Sequence, residues 1–471
     1  MKVHFIYADA GTYYYPGAHH GLASIFSMLR SHGHFVSLQH VKKAPSRREI
    51  LEKIHREQPD LIAFSATTNQ IRYVELWSMW IKQEFTIPTI CGGVHATLHP
   101  EEVIQFGGID MICRGEGEYP MLELADRMGD TSHIKNLWVK KDGTIHKNDL
   151  RPLIPRLDDL VLPDYDLFDC NRILKDRKGD FAVLASRGCP FSCTYCCNHA
   201  LRKVYGDRNP IVRFRSVDNV LEELKLLTSK YPIRRFSFAD DVFAISKEWA
   251  LEFCEKYPEN FDLEFTCNAR VDMIDEETLK NLRRANCTEI GFGVEAGNEW
   301  LRREILNRKM SNEQIINAFN AAHKVGIKTI SSNMIGLPYE TAEMIEETIN
   351  LNKQLAPDHI IIFFFYPYPG TELYKICEKE GLLSGMHSAS YISESVLDLD
   401  TITRKELEKL YARFYRYAIK REIKSFHSLV RYPVMVIDRV IGGLLGKRSI
   451  QMLMKIYLKF FRMFSLLRGN K

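Results

Sequence analysis

No run of about 18 uncharged apolar residues occurs in this 471-residue chain, so no membrane-spanning helix is predicted. A cleavable leader pattern is also missing. Met1-Lys2 leads into a short apolar run at 3–7 and then Asp9, and a cytoplasmic location is expected. Short-period repeats and low-complexity tracts are absent, which removes solenoid and fibrous classes. The eleven cysteines do not have the spacing of a secreted disulfide framework, and a chain this long does not need one to fold.

The composition, 45% hydrophobic and 26% charged, is that of a globular protein with two or three domains. The net charge of +4 hides an asymmetry. Residues 401–471 hold 17 Lys/Arg against 4 Asp/Glu, a surplus of 13, so the first 400 residues carry −9. A basic tail on an acidic body points to an anionic partner, a membrane surface or a nucleic acid.

Apolar runs at 3–7, 36–41, 61–65, 89–91 and 111–113 read as buried strands, and 21–31, 47–58, 71–84 and 101–106 read as helices. This alternation predicts a doubly wound α/β sheet with ligands beyond the carboxyl ends of its strands. The segments to watch are then 8–21, 66–69, 92–99 and 114–118. Residues 136–180 read as a linker, with a hairpin signal at Lys141-Asp142-Gly143 and prolines at 152, 155 and 163. A second alternation follows, with strands at 181–186, 235–239, 263–269, 289–294, 329–335 and 360–366. Six strands with intervening helices predict a partial (β/α)6 barrel. The expected divisions are 1–135, 136–180, 181–385 and 386–471.

Directly after the first barrel strand comes Cys189-Pro-Phe-Ser-Cys193-Thr-Tyr-Cys196. Three thiolates within eight residues of loop can converge on one metal centre, and thiolates select iron–sulfur clusters or zinc. A closed zinc site needs a fourth ligand. Cys197 and His199 are the candidates, although Cys197 shares a peptide bond with Cys196 and is poorly placed to face the same metal. Three ligands on a cubane leave one iron open to a substrate.

The Cys-x3-Cys-x2-Cys run, with Tyr195 before its last cysteine, resembles the signature loop of the radical S-adenosylmethionine (SAM) superfamily. The resemblance implies a [4Fe-4S] cluster on Cys189, Cys193 and Cys196. It further implies SAM on the open iron, reductive cleavage to a 5′-deoxyadenosyl radical, and a reducing partner such as flavodoxin or ferredoxin. Further segments match at successive strand ends. Asp240 and Asp241, in Phe238-Ala-Asp-Asp-Val-Phe243, fall where the family contacts the methionyl ammonium; an acid pair favoured by a helix dipole is the plain alternative. Arg270, in Cys267-Asn-Ala-Arg270, is placed to meet the methionyl carboxylate. Glu295, in Gly291-Phe-Gly-Val-Glu-Ala-Gly297, is placed to meet a ribose hydroxyl. Each could instead form a structural ion pair between strands. Met334-Ile-Gly336-Leu-Pro-Tyr-Glu-Thr341 resembles the family's Gly-Leu-Pro-Gly-Glu-Thr turn beside the adenine, with Tyr339 in place of a Gly. Tyr366-Pro-Tyr-Pro-Gly-Thr371 closes the sixth strand.

The front half resembles the Rossmann-like (flavodoxin-like) cobalamin-binding domain that precedes the barrel in one large class of this superfamily. The matching residues include Gly21-Leu22, Gln58-Pro-Asp-Leu61, Gly92-Gly93-Val-His95-Ala-Thr97 and Arg114-Gly115-Glu116-Gly117-Glu118. The resemblance implies cobalamin near Thr12, Tyr13, Ser65, Thr67, Gly92, Gly93, His95, Gly115 and Glu116. The Asp-x-His-x-x-Gly motif that ligates cobalt is absent: the chain reads Asp9-Ala-Gly-Thr-Tyr-Tyr-Tyr-Pro-Gly17. The class resembled usually lacks that ligand. A flavodoxin-like scaffold binding nothing is the alternative.

In the tail, residues 403–423 pattern as a helix with Leu407, Leu410, Phe414, Tyr417 and Ala418 on one face. Residues 425–468 combine apolar residues with Lys455, Lys459, Arg462 and Arg468. A basic amphipathic helix suggests peripheral contact with the inner face of a membrane, and with it a lipid-like substrate; packing on the barrel is the alternative. Nucleic acid is not expected, since the aromatics sit on an apolar face. The implied activity is a cobalamin-dependent C-methyltransferase on a small or lipid-like metabolite. The alternatives are a radical cyclase or rearranging enzyme, or a non-catalytic iron–sulfur carrier or regulator. A methylthiotransferase is disfavoured, because Cys91, Cys113 and Cys170 do not form a second cluster-binding set.

Overall fold

Short β-branched and aromatic runs, each bounded by a helix cap or a turn, set the strands. In the computed structural model, which describes residues 1–9, 17–127, 130–206, 212–385 and 394–424, the first sheet holds seven. They are β1 (Lys2–Ala8), β2 (Phe35–Val41), β3 (Leu61–Ser65), β4 (Thr89–Gly92), β5 (Met111–Cys113), β6 (Leu137–Lys141) and β7 (Thr144–Lys147), in the order β2-β1-β3-β4-β5-β6-β7. The first five are parallel and flanked by helices on both faces, which is why all five residues of β3 are buried. Capping fixes where helices begin: Ser46 and Glu49 form a reciprocal box before the helix Arg47–Glu57.

The hairpin foreseen at 141–143 joins β6 to β7, and both pair antiparallel on the edge of this sheet. The first part of the expected linker, residues 137–147, is therefore sheet. Its remaining part packs against the core through Tyr165, Phe168 and Ile173.

The second sheet is an open half-barrel of six parallel strands: β8 (Asp180–Val183), then, after the two-residue pair β9 (Ser186–Arg187) and β10 (Arg213–Phe214), β11 (Arg235–Phe238), β12 (Glu264–Ala269), β13 (Cys287–Glu295), β14 (Lys328–Ile335) and β15 (His359–Phe364). The sequence pattern ran the first barrel strand on to 186. In fact the chain leaves the sheet at Val183, and Ser186 and Arg187 pair antiparallel with Phe214 and Arg213. Along β12, β14 and β15 burial alternates. Residues facing the outer helices, such as Cys267, Ile335 and Ile362, are buried, while their neighbours on the inner face are half-buried or exposed.

The helix Arg404–Lys424 lies against β15 and the helix Ala342–Leu355, burying Leu407, Phe414 and Ala418. The face foreseen on residues 403–423 is thus the packed one, through Leu407, Phe414 and Ala418. Residues 425–471, where the membrane expectation falls, lie outside the described residues. Among the described residues no helix is long and apolar enough to cross a membrane.

Candidate functional site

The cysteine loop is held from every side. Where β8 ends, the buried carboxylate of Asp240 accepts the Ala185 N–H (3.1 Å) and the Ser186 hydroxyl, fixing the approach to the loop. Gly188 then turns with φ of 91°, a left-handed conformation that suits glycine. Beyond it, Asn307 donates to the Ser192 carbonyl (2.9 Å), Arg202 to the Pro190 carbonyl (2.8 Å) and the Leu373 N–H to the Thr194 carbonyl (2.9 Å).

Cys193 is buried, and Cys189 and Cys196 are half-buried beside it. The Cys193 sulfur faces two guanidinium groups, Arg270 and Arg308, each donating from 3.7 Å. Two cations on one buried sulfur favour a metal-bound thiolate, so the donor set fits a cluster. Among the described residues no group of three His, Cys, Asp or Glu side chains, the loop cysteines included, gathers closely enough for a single metal ion. Cys197, a free thiol, opens the helix Cys197–Tyr205, while His199 lies beside Arg202 (3.2 Å).

Around the loop stand the other strand-end residues. Asp241 is exposed and accepts from Asn198 (2.8 Å), whereas Asp240 is enclosed in the turn it braces. Asp240 is thus a scaffold for the loop, and the open carboxylate is that of Asp241. Burial pushes the Asp240 carboxyl up to about 6, against the pull of Ser186 and the Ala185 N–H. Arg270 is buried, paired with Asp272 (2.8 Å) and stacked on Phe191 at 3.7 Å. Its ion pair is with a residue two positions on, rather than with an adjacent strand.

Glu295 has φ of 66° and a buried carboxylate that accepts from the Tyr195 hydroxyl (3.1 Å). Burial raises its pKa, opposed by Arg308 and Tyr195. Gly336 (φ 77°) and Leu337 donate backbone N–H groups to one oxygen of buried Glu340, at 2.6 and 3.1 Å. The other oxygen has no partner. Burial drives this carboxyl up to about 8 despite those two donors. Tyr339 takes the conformation its position demands, φ 65°, with its ring exposed, so the turn survives the loss of glycine.

Between the first domain's strand ends, the segment 157–165 and residues such as Leu184, Ser186 and Arg215 of the second unit lies a cavity of about 330 Å³. Phe5, Leu22, Ile25, Ala63, Ile90 and Met121 give it apolar walls, and Ser65, Gly92, Gly93, Gly115 and Glu116 stand along it. Gly93 has φ of 96°, and a Cβ there would lie 2.7 Å from the Ala66 carbonyl oxygen. Thr97 ties the loops together, donating to the Gly93 carbonyl and accepting from the Gly115 N–H, both at 2.8 Å. An apolar slot of this size, with backbone brought close to it, fits the nucleotide tail of a corrinoid.

Thr67 and His95 lie outside the slot. Thr67 closes a turn with Gln70 (2.9 Å). Buried His95 bonds Thr68 (3.1 Å), while its Nε2, 3.4 Å from Glu102, makes no hydrogen bond. Thr12 and Tyr13 lie outside the described residues. Asp9 pairs with His40 (2.8 Å). His19 caps its helix by accepting from Leu22 (3.1 Å), and burial holds the His19 and His20 imidazoles down at about 4 and about 3.

Glu116, which stands along the cavity, is also held by protein partners. Both of its oxygens are taken, by Arg187 and Arg213 at 2.9 Å and by the Ile154 N–H at 2.8 Å. It belongs to the joint between the sheets, where Arg187 also binds Glu118 (2.6 Å).

Two family descriptions match this arrangement: the B12 binding domain over residues 8–125 and the radical SAM superfamily over residues 183–351. The chain is a cobalamin-dependent radical SAM enzyme. The cofactors of this family are a [4Fe-4S] cluster, SAM and cobalamin. The enzyme is 29% identical over 432 residues to an uncharacterized methyltransferase of Pyrococcus horikoshii, covering 90% of this chain and 93% of that one. It is 26% identical over 404 residues to the anaerobic magnesium-protoporphyrin IX monomethyl ester cyclase of Rubrivivax gelatinosus, covering 82% and 70%. Its fold matches the radical SAM methyltransferase TsrM of Kitasatospora setae with a TM-score of 0.66 at 17% identity, covering 81% and 77%.

Sequence reasoning missed Arg308 and Arg187. Arg308 donates to the Tyr195 hydroxyl (3.2 Å) and the Gly293 carbonyl (2.6 Å) as well as to Cys193, yet it lies 115 residues beyond that cysteine. The available signal was a basic pair, Arg308-Lys309, beyond the helical turn Leu301–Ile305 that follows β13.

Proposed function

We propose that this enzyme is a cobalamin-dependent C-methyltransferase acting on a small or lipid-like metabolite. The observation that carries the reading is the joint itself. The first domain's strand-end loops, through Glu116 and Glu118, are ion-paired to Arg187, two residues before the first cluster cysteine. A corrinoid slot and a cluster loop so joined suit a methyl carrier working beside a hydrogen-abstracting radical. When the cofactors are bound, the chemistry supplied is reductive cleavage of the SAM sulfonium and methyl carriage on cobalt. The chain's own residues hold the loop (Asp240, Asn307, Arg202), charge-balance its sulfur (Arg270, Arg308) and orient Tyr195 against Glu295. The similarity to methyltransferases supports this reading, and that to an anaerobic cyclase supports a second one, radical cyclisation on the same scaffold.

The products separate them. A methyl group taken from SAM leaves S-adenosylhomocysteine, whereas radical cleavage leaves methionine and 5′-deoxyadenosine. The anaerobically reconstituted enzyme, reduced with dithionite and given extract metabolites, is expected to release both nucleosides in step. 5′-Deoxyadenosine alone under turnover would favour the cyclase and overturn methyl transfer. A cytoplasmic location, a flavodoxin or ferredoxin as reductant, and peripheral membrane contact through residues 425–468 complete the proposal. Flotation with anionic liposomes, full-length against a chain ending at Glu422, tests the last; equal behaviour would sink it.

A further inference from the structure

Most polar side chains along the corrinoid slot are already engaged with one another or with backbone. Ser24 and Arg187 both bind Glu118, Arg215 binds Glu223, and His19 accepts from the Leu22 N–H. His20 is built differently. It opens the helix His20–Ser31 and lines the same slot, half-buried. Its Nδ1 lies 3.0 Å from the Tyr165 hydroxyl oxygen, with the two rings edge to face at 5.9 Å. That hydroxyl donates to the buried carboxylate of Glu223 (3.1 Å), on the helix Val217–Lys230, and Glu223 is ion-paired with Arg215.

The order of hydrogens along this chain fixes which nitrogen of His20 is open. A carboxylate only accepts, so the Tyr165 hydrogen points at Glu223 and the phenol oxygen accepts from His20. The imidazole proton is therefore on Nδ1, and Nε2 keeps its lone pair. Among the described residues Nε2 has no hydrogen-bond partner. Burial keeps the ring neutral, and Arg177 and Arg215 also oppose a positive charge on it. Phe5, Leu22 and Ile25 stand along the same slot, so a polar group entering it loses water and needs a partner of the right kind. Phosphate oxygens and an unprotonated base nitrogen would meet the Nε2 lone pair with lone pairs of their own. A hydroxyl brings the hydrogen that Nε2 lacks, and the nucleotide tail of cobalamin carries hydroxyls on its ribose.

We infer that His20 selects cobalamin by its tail: Nε2 accepts a hydrogen bond from a ribose hydroxyl, with Tyr165 and Glu223 as the positioning residues that hold the tautomer. This rests on the reading of the slot as the corrinoid site, and its test does not require turnover. The full-length enzyme, its cluster reconstituted anaerobically and its corrinoid removed, is titrated by tryptophan fluorescence with hydroxocobalamin and with cobinamide, which lacks the nucleotide. His20→Phe should weaken hydroxocobalamin roughly tenfold, the effect of one unmet hydrogen bond, and leave cobinamide unchanged. His20→Gln, whose side-chain oxygen accepts, should recover most of the loss. Tyr165→Phe keeps the ring but frees the imidazole to take either tautomer, and should cost severalfold with hydroxocobalamin alone. Unchanged cobinamide affinity shows that each variant is folded.

His20→Phe binding both corrinoids as wild type does would overturn the contact. Equal weakening of both would overturn it too, moving His20 to the corrin ring or to cobalt; nitrogen splitting in the cobalt(II) electron paramagnetic resonance spectrum, lost in His20→Phe, would mark the latter. Glutamine serving no better than phenylalanine would overturn the acceptor role. Tyr165→Phe discriminating between the two corrinoids as wild type does would overturn the positioning. Wild type that binds neither corrinoid would overturn the reading of the slot itself, a result distinct from all the others.

Discussion

Replacing Arg187 by Met would leave the carboxylate of Glu118, only 3% exposed, without its counter-charge, since the other donor to it is the Ser24 hydroxyl at 2.8 Å. Burial opposes the charge on Glu118, and Arg187 outweighs it, holding the carboxyl below its usual range. Removing one partner of a buried pair costs about 3–5 kcal/mol, because the survivor stays buried and uncompensated. Glu116 is cushioned, keeping Arg213. For domains of this size each kcal/mol moves the midpoint by about 2–4 °C, so the first cooperative transition of Arg187→Met should fall by roughly 6–20 °C. The double variant Arg187→Met/Glu118→Met removes both charges from a place already bordered by apolar side chains, and should recover most of the loss.

The assay is anaerobic differential scanning calorimetry of the four members of the cycle. The pH dependence has a definite sign. A carboxyl whose folded pKa is depressed stabilises the fold above its unfolded value and loses that contribution as pH falls. The advantage of wild type over the double variant should therefore shrink below the ordinary glutamate range, near pH 4.5. Additive single effects, or a double variant no better than Arg187→Met alone, would refute the claim that this pair is the joint between the domains.

Gly93→Ala should both destabilise the first domain and abolish cobalamin retention, because its Cβ would meet the Ala66 backbone at 2.7 Å in a left-handed conformation; the cobalamin spectrum after gel filtration checks this. Glu340→Gln should be closest to wild type near the ordinary glutamate range and gain on it steadily from there to about pH 8, with no further gain above. The wild-type carboxyl, raised to about 8, is favoured protonated in the fold, so stability declines as pH rises from the unfolded value through that range, and chemical denaturation at pH 6 and pH 9 measures it.

Most strands were readable because they are buried on at least one face, and burial demands apolar runs or alternation that survive in one dimension. β3 at Leu61–Ser65 and β5 at Met111–Cys113 coincide with their apolar runs. The cysteine loop was equally legible, since its three ligands lie within eight residues. What escaped depends on distant partners. β9 and β10 are two residues each and exist only through their pairing. In Arg114-Gly-Glu-Gly-Glu118, the ion pairs of Glu118 with Arg187 and of Glu116 with Arg213, 69 and 97 residues away, left no trace in the local pattern. Asp240 and Asp241 are neighbours of one type, yet backbone direction alone sends one into a turn and leaves the other facing out. No composition or periodicity distinguishes such a pair.

The second sheet ends at β8 and β15 without those two strands meeting. A closed ring admits only what can be threaded through one of its ends; a crescent can be loaded from the flank. The upper limit on cargo size is therefore set by neighbouring segments that border the gap, which tolerate exchange and insertion far better than hydrogen-bonded staves do. One reactive centre can in this way be re-fitted to molecules of very different bulk while its strands stay as they are.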